Sequence, residues 1–187
     1  MTQPNARYLF LLASARPGGN SEALARHAAA ALPPEAEQRW LHLRDLPLPS
    51  FEDIRHSSDG TYPEPQGHER TLLDATLWAS EIVIVTPLYW YSMSASAKLY
   101  FDYWSSWLRV PSASFKQQMA AKRLWGISVD SSGEERFIQP LLGALVLSAE
   151  YMGMRWGGLL CGYGNRPGEV LADAASLSRA GAFFAEA

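Results

Sequence analysis

Two periods of apolar spacing alternate along this chain. Residues 8–13 form a continuous apolar run, which predicts a strand buried on both faces. After the break at Pro17-Gly18-Gly19, Leu24, Ala28 and Leu32 recur at helical spacing and predict a helix over 21–32, stopped by Pro33-Pro34. Residues 38–43 alternate moderately and read as a second strand containing Trp40. A loop rich in Pro and Gly over 46–68 leads to a short helix over 69–80. Residues 81–86 carry the strongest strand signal, and their β-branched run suggests a central position ended by Pro87.

An aromatic-rich helix is expected over 94–108, with Ser92 or Ser94 as N-cap. A fourth strand follows over 123–129, then the loop Asp130-Ser131-Ser132-Gly133. Phe137, Leu141, Leu145, Ser148 and Met152 share one face of a helix that stops at Gly153. A fifth strand is expected over 156–161, and a last helix from 168 to the C-terminus. Strands alternating with helices imply an α/β three-layer sandwich around a parallel sheet. The length suits a single flavodoxin-like domain over 1–187 with strand order 2-1-3-4-5. In such a sheet ligands bind beyond the carboxyl ends of strands 1 and 3, where the strand order reverses.

Composition narrows the chemistry. The 187 residues carry a net charge of −3 and no basic run, which argues against a nucleic-acid groove or a polybasic membrane patch. The single Cys161 can form no internal disulfide and excludes an iron–sulfur cluster held by this chain's own cysteines. His27, His42, His56 and His68 fall at no metal-ligand spacing, so no metal site is expected. Ala13-Ser14-Ala15 after a short apolar run imitates a signal-peptide cleavage site, but the run reads better as a buried strand. No apolar run approaches the roughly 20 residues needed to span a bilayer, and a soluble cytoplasmic protein is expected. Aromatic residues reach 12%, a surplus that a heavy core, an interface or a stacking site could each explain.

The two loops at the switch point carry the candidate chemistry. After strand 1 come Ser14, Arg16, Gly19, Asn20 and Ser21, directly before a helix. A helix N-terminus presents unpaired N–H groups and a partial positive charge, an anion site suited to phosphate. The alternative is an ordinary strand–helix turn capped by Asn20 or Ser21. The loop matches neither a P-loop nor a G-x-G-x-x-G turn, and no G-x-S-x-G elbow occurs anywhere in the chain. After strand 3 come Pro87, Leu88, Tyr89, Trp90 and Tyr91. Successive strand residues point to opposite faces, so three adjacent aromatics are not all core. They form either a stacking wall for a flat conjugated ligand or a hydrophobic contact surface.

These residues resemble a known family. Ser14, Arg16, Gly19, Asn20 and Ser21 spell S-x-R-x-x-G-N-[ST]; Thr86, Pro87, Tyr89, Ser92 and Ser94 spell T-P-x-Y-x-x-S-x-[ST], followed by Lys98 and Asp102 as K-x-x-x-D. Together they resemble the NADPH-dependent FMN reductases, flavodoxin-like flavoproteins that include quinone reductases, over essentially the whole chain. The tail from Gly162 to Val170 is similar to the segment opening that family's last helix. Ala97 stands where the family often has Leu, and the strand-4 loop has Gly133 as its one glycine.

The resemblance implies FMN, with its phosphate on Ser14, Arg16, Asn20 and Ser21 and its ring against Pro87, Leu88, Tyr89 and Trp90. It implies that Asp130, Ser131, Ser132 and Gly133 close the other side of the ring. NAD(P)H would be the co-substrate and a quinone-like small molecule the acceptor, with flavin N5 carrying the hydride and no catalytic side chain required. A flavodoxin-type carrier and a non-catalytic interaction protein on the same fold remain the alternatives. Lys98 and Asp102 read as a weak structural pair. Part of Tyr100, Phe101, Tyr103, Trp104 and Trp107 is expected to meet a second subunit in a homodimer or homotetramer. The loop 46–68 is a candidate lid, from its length.

Overall fold

Ile82, Val83, Ile84 and Val85 are buried to within 1% exposure, as expected for a strand with neighbours on both sides and helices on both faces. In a computed structural model, whose described residues are 6–57 and 59–185, they form the middle of β3 (Glu81–Pro87). β1 (Arg7–Leu12) and β4 (Arg123–Asp130) pair with it in parallel, with Val83 opposite Phe10 and Trp125. β2 (Glu37–His42) and β5 (Arg155–Tyr163) are the edges, and the order is β2-β1-β3-β4-β5. The sheet order predicted from the alternation is therefore the one observed.

Alternation along each strand sorts side chains onto two cores. Phe10, Leu12, Val83, Val85, Trp125 and Ile127 face α1 (Asn20–Ala29) and α6 (Ala174–Ala182). Leu9, Leu11, Ile82, Ile84 and Leu124 face α2 (Gly67–Trp78), α3 (Ala95–Trp107), α4 (Phe115–Met119) and α5 (Glu135–Met152). Apolar burial on this scale, at about 25 cal/mol per Å², is the main force holding the layers together.

Three expectations change. The aromatics of α3 are core: Tyr100 and Trp107 are fully buried, Trp104 and Tyr103 nearly so. Tyr100 shares a hydroxyl contact with Thr76 at 2.8 Å, and Trp107 Nε1 donates to Glu69 at 3.0 Å. α2 and the short α4, which polar Lys116, Gln117 and Gln118 hid from the periodicity, cover two faces of α3 at once. Tyr100, Tyr103, Trp104 and Trp107 are thereby core residues first, and Phe101 is the half-exposed member of the set.

The loop 46–68 is fastened to α3. The Tyr103 hydroxyl donates to Pro49 O at 3.1 Å, Tyr62 N donates to Arg109 O at 3.2 Å, and Phe51 packs edge-on against Tyr103. Its described residues lean on the side of the sandwich and none of them lines the cavity described below, which gives the lid expectation no support. The last helix is broken: a 3-10 turn (Glu169–Ala172) precedes α6, whose N-cap Asp173 accepts from Ser176 N at 3.1 Å. Residues 186–187, the end of the expected helix, lie outside the described residues.

Candidate functional site

Four loops leave the carboxyl ends of β1, β3, β4 and β5 and meet over the switch point. They enclose a cavity of about 120 Å³ lined by Ser14, Arg16, Gly19, Asn20, Ser21, Pro87, Leu88, Tyr89, Val129, Ser131, Gly164 and Asn165. At roughly 30 Å³ per water, that volume admits a group the size of a phosphate.

The β1 loop builds its floor. Ser14 Oγ accepts from Arg16 N at 3.1 Å and so curls the backbone toward the helix. Gly19 is the N-cap of α1, with no side chain capping the helix, so the first-turn N–H groups stay available to a ligand. Glu22 is largely buried behind the loop: it accepts from Gly18 N at 3.2 Å and pairs with Arg26 at 3.0 Å. Arg16 is exposed, and among the described residues no hydrogen bond or ion pair engages its guanidinium. The floor thus joins the positive end of the helix to a free guanidinium, and the one acid of the first turn, Glu22, is paired with Arg26.

Asn20 has a different job from the phosphate donor expected of it. Its Nδ2 donates to Arg166 O at 2.8 Å, which ties the loop after β5 to the helix N-terminus. Among the described residues its buried Oδ1 has no partner, and it stands as an acceptor at the cavity wall. Such an acceptor suits a hydroxyl donor rather than a phosphate oxygen. The β5 loop is itself drawn tight, since Asn165 N and Arg166 N both donate to Glu169 at 2.7 and 2.8 Å. Those two backbone donors hold the Glu169 carboxyl below the ordinary range. A Cβ on Gly164 would stand 2.9 Å from Val170 N and 3.0 Å from Asn20 Nδ2, so only glycine fits this crossing. Gly164 and Asn165 were missed as wall residues; their signal was loop punctuation at the carboxyl end of another strand.

The β3 loop forms the opposite wall. Thr86 Oγ1 accepts from Ser94 N at 2.9 Å, and Ser94 Oγ donates to Ala13 O at 2.7 Å, fixing the start of α3 to the end of β1. Ser94, one of the two expected caps, is the N-cap and accepts from Ala97 N. Tyr89 and Ser92 exchange both backbone hydrogen bonds at 3.0 Å, closing a two-residue hairpin. Its tip residues Trp90 and Tyr91 have φ of 49° and 63°. That is a type I′ geometry normally given to Asn-Gly, and left-handed backbone costs about 1–2 kcal/mol per non-glycine residue.

The hairpin divides the expected stacking set. Pro87, Leu88 and Tyr89 line the cavity. Trp90 is 93% exposed and forms no wall, a correction to its placement against the ring. Tyr91 reaches across to Phe137 at the start of α5, ring centroids 5.1 Å apart.

The β4 loop also divides. Ser131 lines the cavity, whereas Asp130 and Gly133 open onto a larger one of about 680 Å³ beside β5, with Cys161, Tyr163 and Arg179. Asp130 is buried, and its carboxylate is taken up by its own loop: Oδ1 accepts from Ser132 N at 2.6 Å, Ser132 Oγ at 2.9 Å and Gly133 N at 2.7 Å. Burial pushes this carboxyl up, but the Gly133 and Ser132 donors more than offset it and leave it below the ordinary range. Asp130 shapes the loop instead of presenting an oxygen to a ligand. Lys98 and Asp102 form an exposed pair on α3, away from this cavity.

The comparisons agree with this architecture. The chain belongs to the flavodoxin-like fold family, whose model matches residues 6–181. It is 34% identical over 166 residues to "Putative NAD(P)H-dependent FMN-containing oxidoreductase YwqN" of Bacillus subtilis (strain 168), covering 88% of this chain and 89% of that protein. The solved Trp repressor binding protein of Bacillus subtilis superposes with a TM-score of 0.73 at 29% identity, covering 95% of this chain and 96% of that one. The NAD(P)H:quinone oxidoreductase of Methanothermobacter marburgensis shares the fold, with a TM-score of 0.70 at 15% identity over 97% and 96% of the two chains. Among the described residues no helix is long and apolar enough to cross a membrane.

Proposed function

We propose that this protein is an FMN-dependent NAD(P)H oxidoreductase that passes reducing equivalents to a quinone-like or other small acceptor. One observation carries the reading. The uncapped N-terminus of α1, the free Arg16 and the Tyr89 wall converge on one cavity, within a chain 34% identical to an oxidoreductase described as FMN-containing.

The residues fit the cofactor. The first-turn N–H groups of α1, with Arg16 and the hydroxyls of Ser14 and Ser21, would hold the phosphate. The orphaned Oδ1 of Asn20 would accept from a ribityl hydroxyl, which gives that buried atom the partner it lacks. Pro87, Leu88 and Tyr89 would support one face of the ring, and Ser131 would border it from the β4 loop. Bound FMN supplies the redox chemistry, accepting hydride from a reduced nicotinamide and returning electrons to the acceptor.

This chain's residues bind, orient and exclude water. No side-chain acid or base is assigned, and none of the cavity-lining residues is an acid or a histidine. The exposed Trp90 and Tyr89 edge the opening, where a flat nicotinamide or quinone would arrive.

The expected homo-oligomer finds its support on the outer side of α3, at Phe101 of the predicted set. Leu147 and Tyr151 of α5, both 65% exposed, flank a groove of about 380 Å³ shared with Phe101, Ser105 and Leu108 of α3. A second copy packing this groove against its own is the reading we adopt, and a cytoplasmic location is consistent with the composition.

The test is an FMN titration followed by anaerobic addition of NADPH or NADH. Saturable FMN binding and bleaching of the flavin band support the reading. Tight binding without bleaching points to a carrier, and no binding removes the flavin altogether.

A further inference from the structure

We propose that Asp130, held by Cys161, is a positioning residue that sets the separation between the β4 loop and the aromatic hairpin, and thereby the affinity for flavin. The inference rests on the flavin reading above and adds to it two residues that do not touch the cavity wall.

The geometry runs outward from one carboxylate. Asp130 is the last residue of β4, and Cys161 lies on the same side of the sheet in the neighbouring β5. The Cys161 thiol donates to Asp130 Oδ2 at 3.5 Å, leaving Oδ1 to gather the three donors of Ser132 and Gly133. This winds residues 131–133 into a tight turn, with Gly133 at φ 71°. Ser131, at the head of that turn, is the loop's contribution to the cavity. Ser132 Oγ then accepts from Glu134 N at 3.1 Å, so the same anchor fixes the residue before α5.

The first turn of α5 carries Phe137, whose ring meets Tyr91 of the hairpin at a tilt of 44°. The hairpin is joined to β4 from its other end, where Leu88 N donates to Val129 O at 3.3 Å. Asp130 therefore stands at the hinge of a closed loop of contacts: Asp130 to Ser132, to α5, to Phe137, to Tyr91, and back through Leu88 to Val129. Moving the carboxylate moves both walls. Burial and the neighbouring Asp130 push the thiol up to about 12, so Cys161 stays a donor across the neutral range.

Three variants of the full-length protein test this: Asp130→Asn, Cys161→Ala and Cys161→Ser. FMN dissociation constants are read by flavin fluorescence, with the visible spectrum and midpoint potential of bound flavin and the melting temperature of the apoprotein. Asp130→Asn is expected to weaken FMN by about 10- to 100-fold, the equivalent of one charge-assisted hydrogen bond. It should also shift the flavin band and potential. Cys161→Ala should move the same quantities by less, and Cys161→Ser, which restores a donor, should return them to wild-type values.

Altered apoprotein melting with affinity, spectrum and potential unchanged would show a merely structural pair and overturn the proposal. So would Cys161→Ser behaving like Cys161→Ala. The two cysteine variants remain decisive if Asp130→Asn does not fold. Wild-type protein that binds no FMN overturns the flavin reading and this inference with it, whereas wild-type binding with unmoved variants overturns this inference alone.

Discussion

Replacing Arg16 by Ala separates ligand recognition from folding. The guanidinium is exposed and makes no hydrogen bond or ion pair among the described residues, so its loss removes no interaction of the fold. Apoprotein stability should stay within about 0.5 kcal/mol, the usual range for a surface substitution away from caps and cores. Bound FMN would lose one charge-assisted contact to a phosphate dianion, worth about 1.5–3 kcal/mol in a desolvated site. Solvent screening at this exposed position reduces that to about 1–2 kcal/mol. The dissociation constant for FMN should rise by roughly 5- to 30-fold. Raising salt from 50 to 500 mM should weaken wild-type binding more than the variant's, because the variant has one charge fewer to screen. Riboflavin, which has no phosphate, is the internal control, and its affinity should not change. Fluorescence titration of both flavins at two ionic strengths measures all of this. Equal FMN affinities for wild type and variant, or a parallel loss with riboflavin, would refute the placement of the phosphate at α1.

Three further outcomes follow from the same geometry. Trp90→Asn should raise the melting temperature by about 2–4 °C, since Asn tolerates the left-handed backbone at the hairpin tip and no packing is lost; calorimetry showing no gain would contradict the strain argument. With its thiol pushed up to about 12 by burial and by Asp130, Cys161 should react with iodoacetamide at pH 8 at least about 10³-fold more slowly than a free cysteine. Mass spectrometry of the native protein reads this, and ready labelling would show an accessible thiolate. Leu147→Glu, which puts a charge on the α3–α5 groove, should shift any oligomer toward monomer in light scattering without unfolding the chain. An unchanged mass for an oligomeric wild type would move the interface elsewhere.

Much of this was legible beforehand, for reasons that can be stated residue by residue. A strand buried on both faces has to be apolar throughout, so 8–13 and 81–86 announced β1 and β3, and strict alternation with helices left few topologies. The site was half legible. Ser14, Arg16, Gly19 and Ser21 sit where a loop feeding a helix places them, because that geometry is local. What depended on tertiary partners was not readable. The α3 aromatics looked too many for one face because α2 and α4 cover a second one. Asn20 looked like a free donor, yet its partner Arg166 is 146 residues away. Trp90 and Tyr91 carry none of the usual residues of a type I′ turn, so nothing in their identity announced the hairpin that sends Trp90 outward. Asp130-Ser131-Ser132-Gly133 did carry an Asx-turn signature, an acid followed by short donors and a glycine, which explains why Asp130 is spent inside the loop and Ser131 alone of the four lines the cavity.

In the proposed function the cavity between the α1 N-terminus and Tyr89 holds a flavin that a nicotinamide can reduce. The most direct measurement is the visible spectrum of FMN-saturated protein, free of excess flavin, followed anaerobically while NADPH is added. The protein should carry a visible flavin band that bleaches on NADPH addition and returns when a quinone is supplied. Protein that stays colourless after FMN addition and removal of excess, or a flavin band untouched by either nicotinamide, would contradict it.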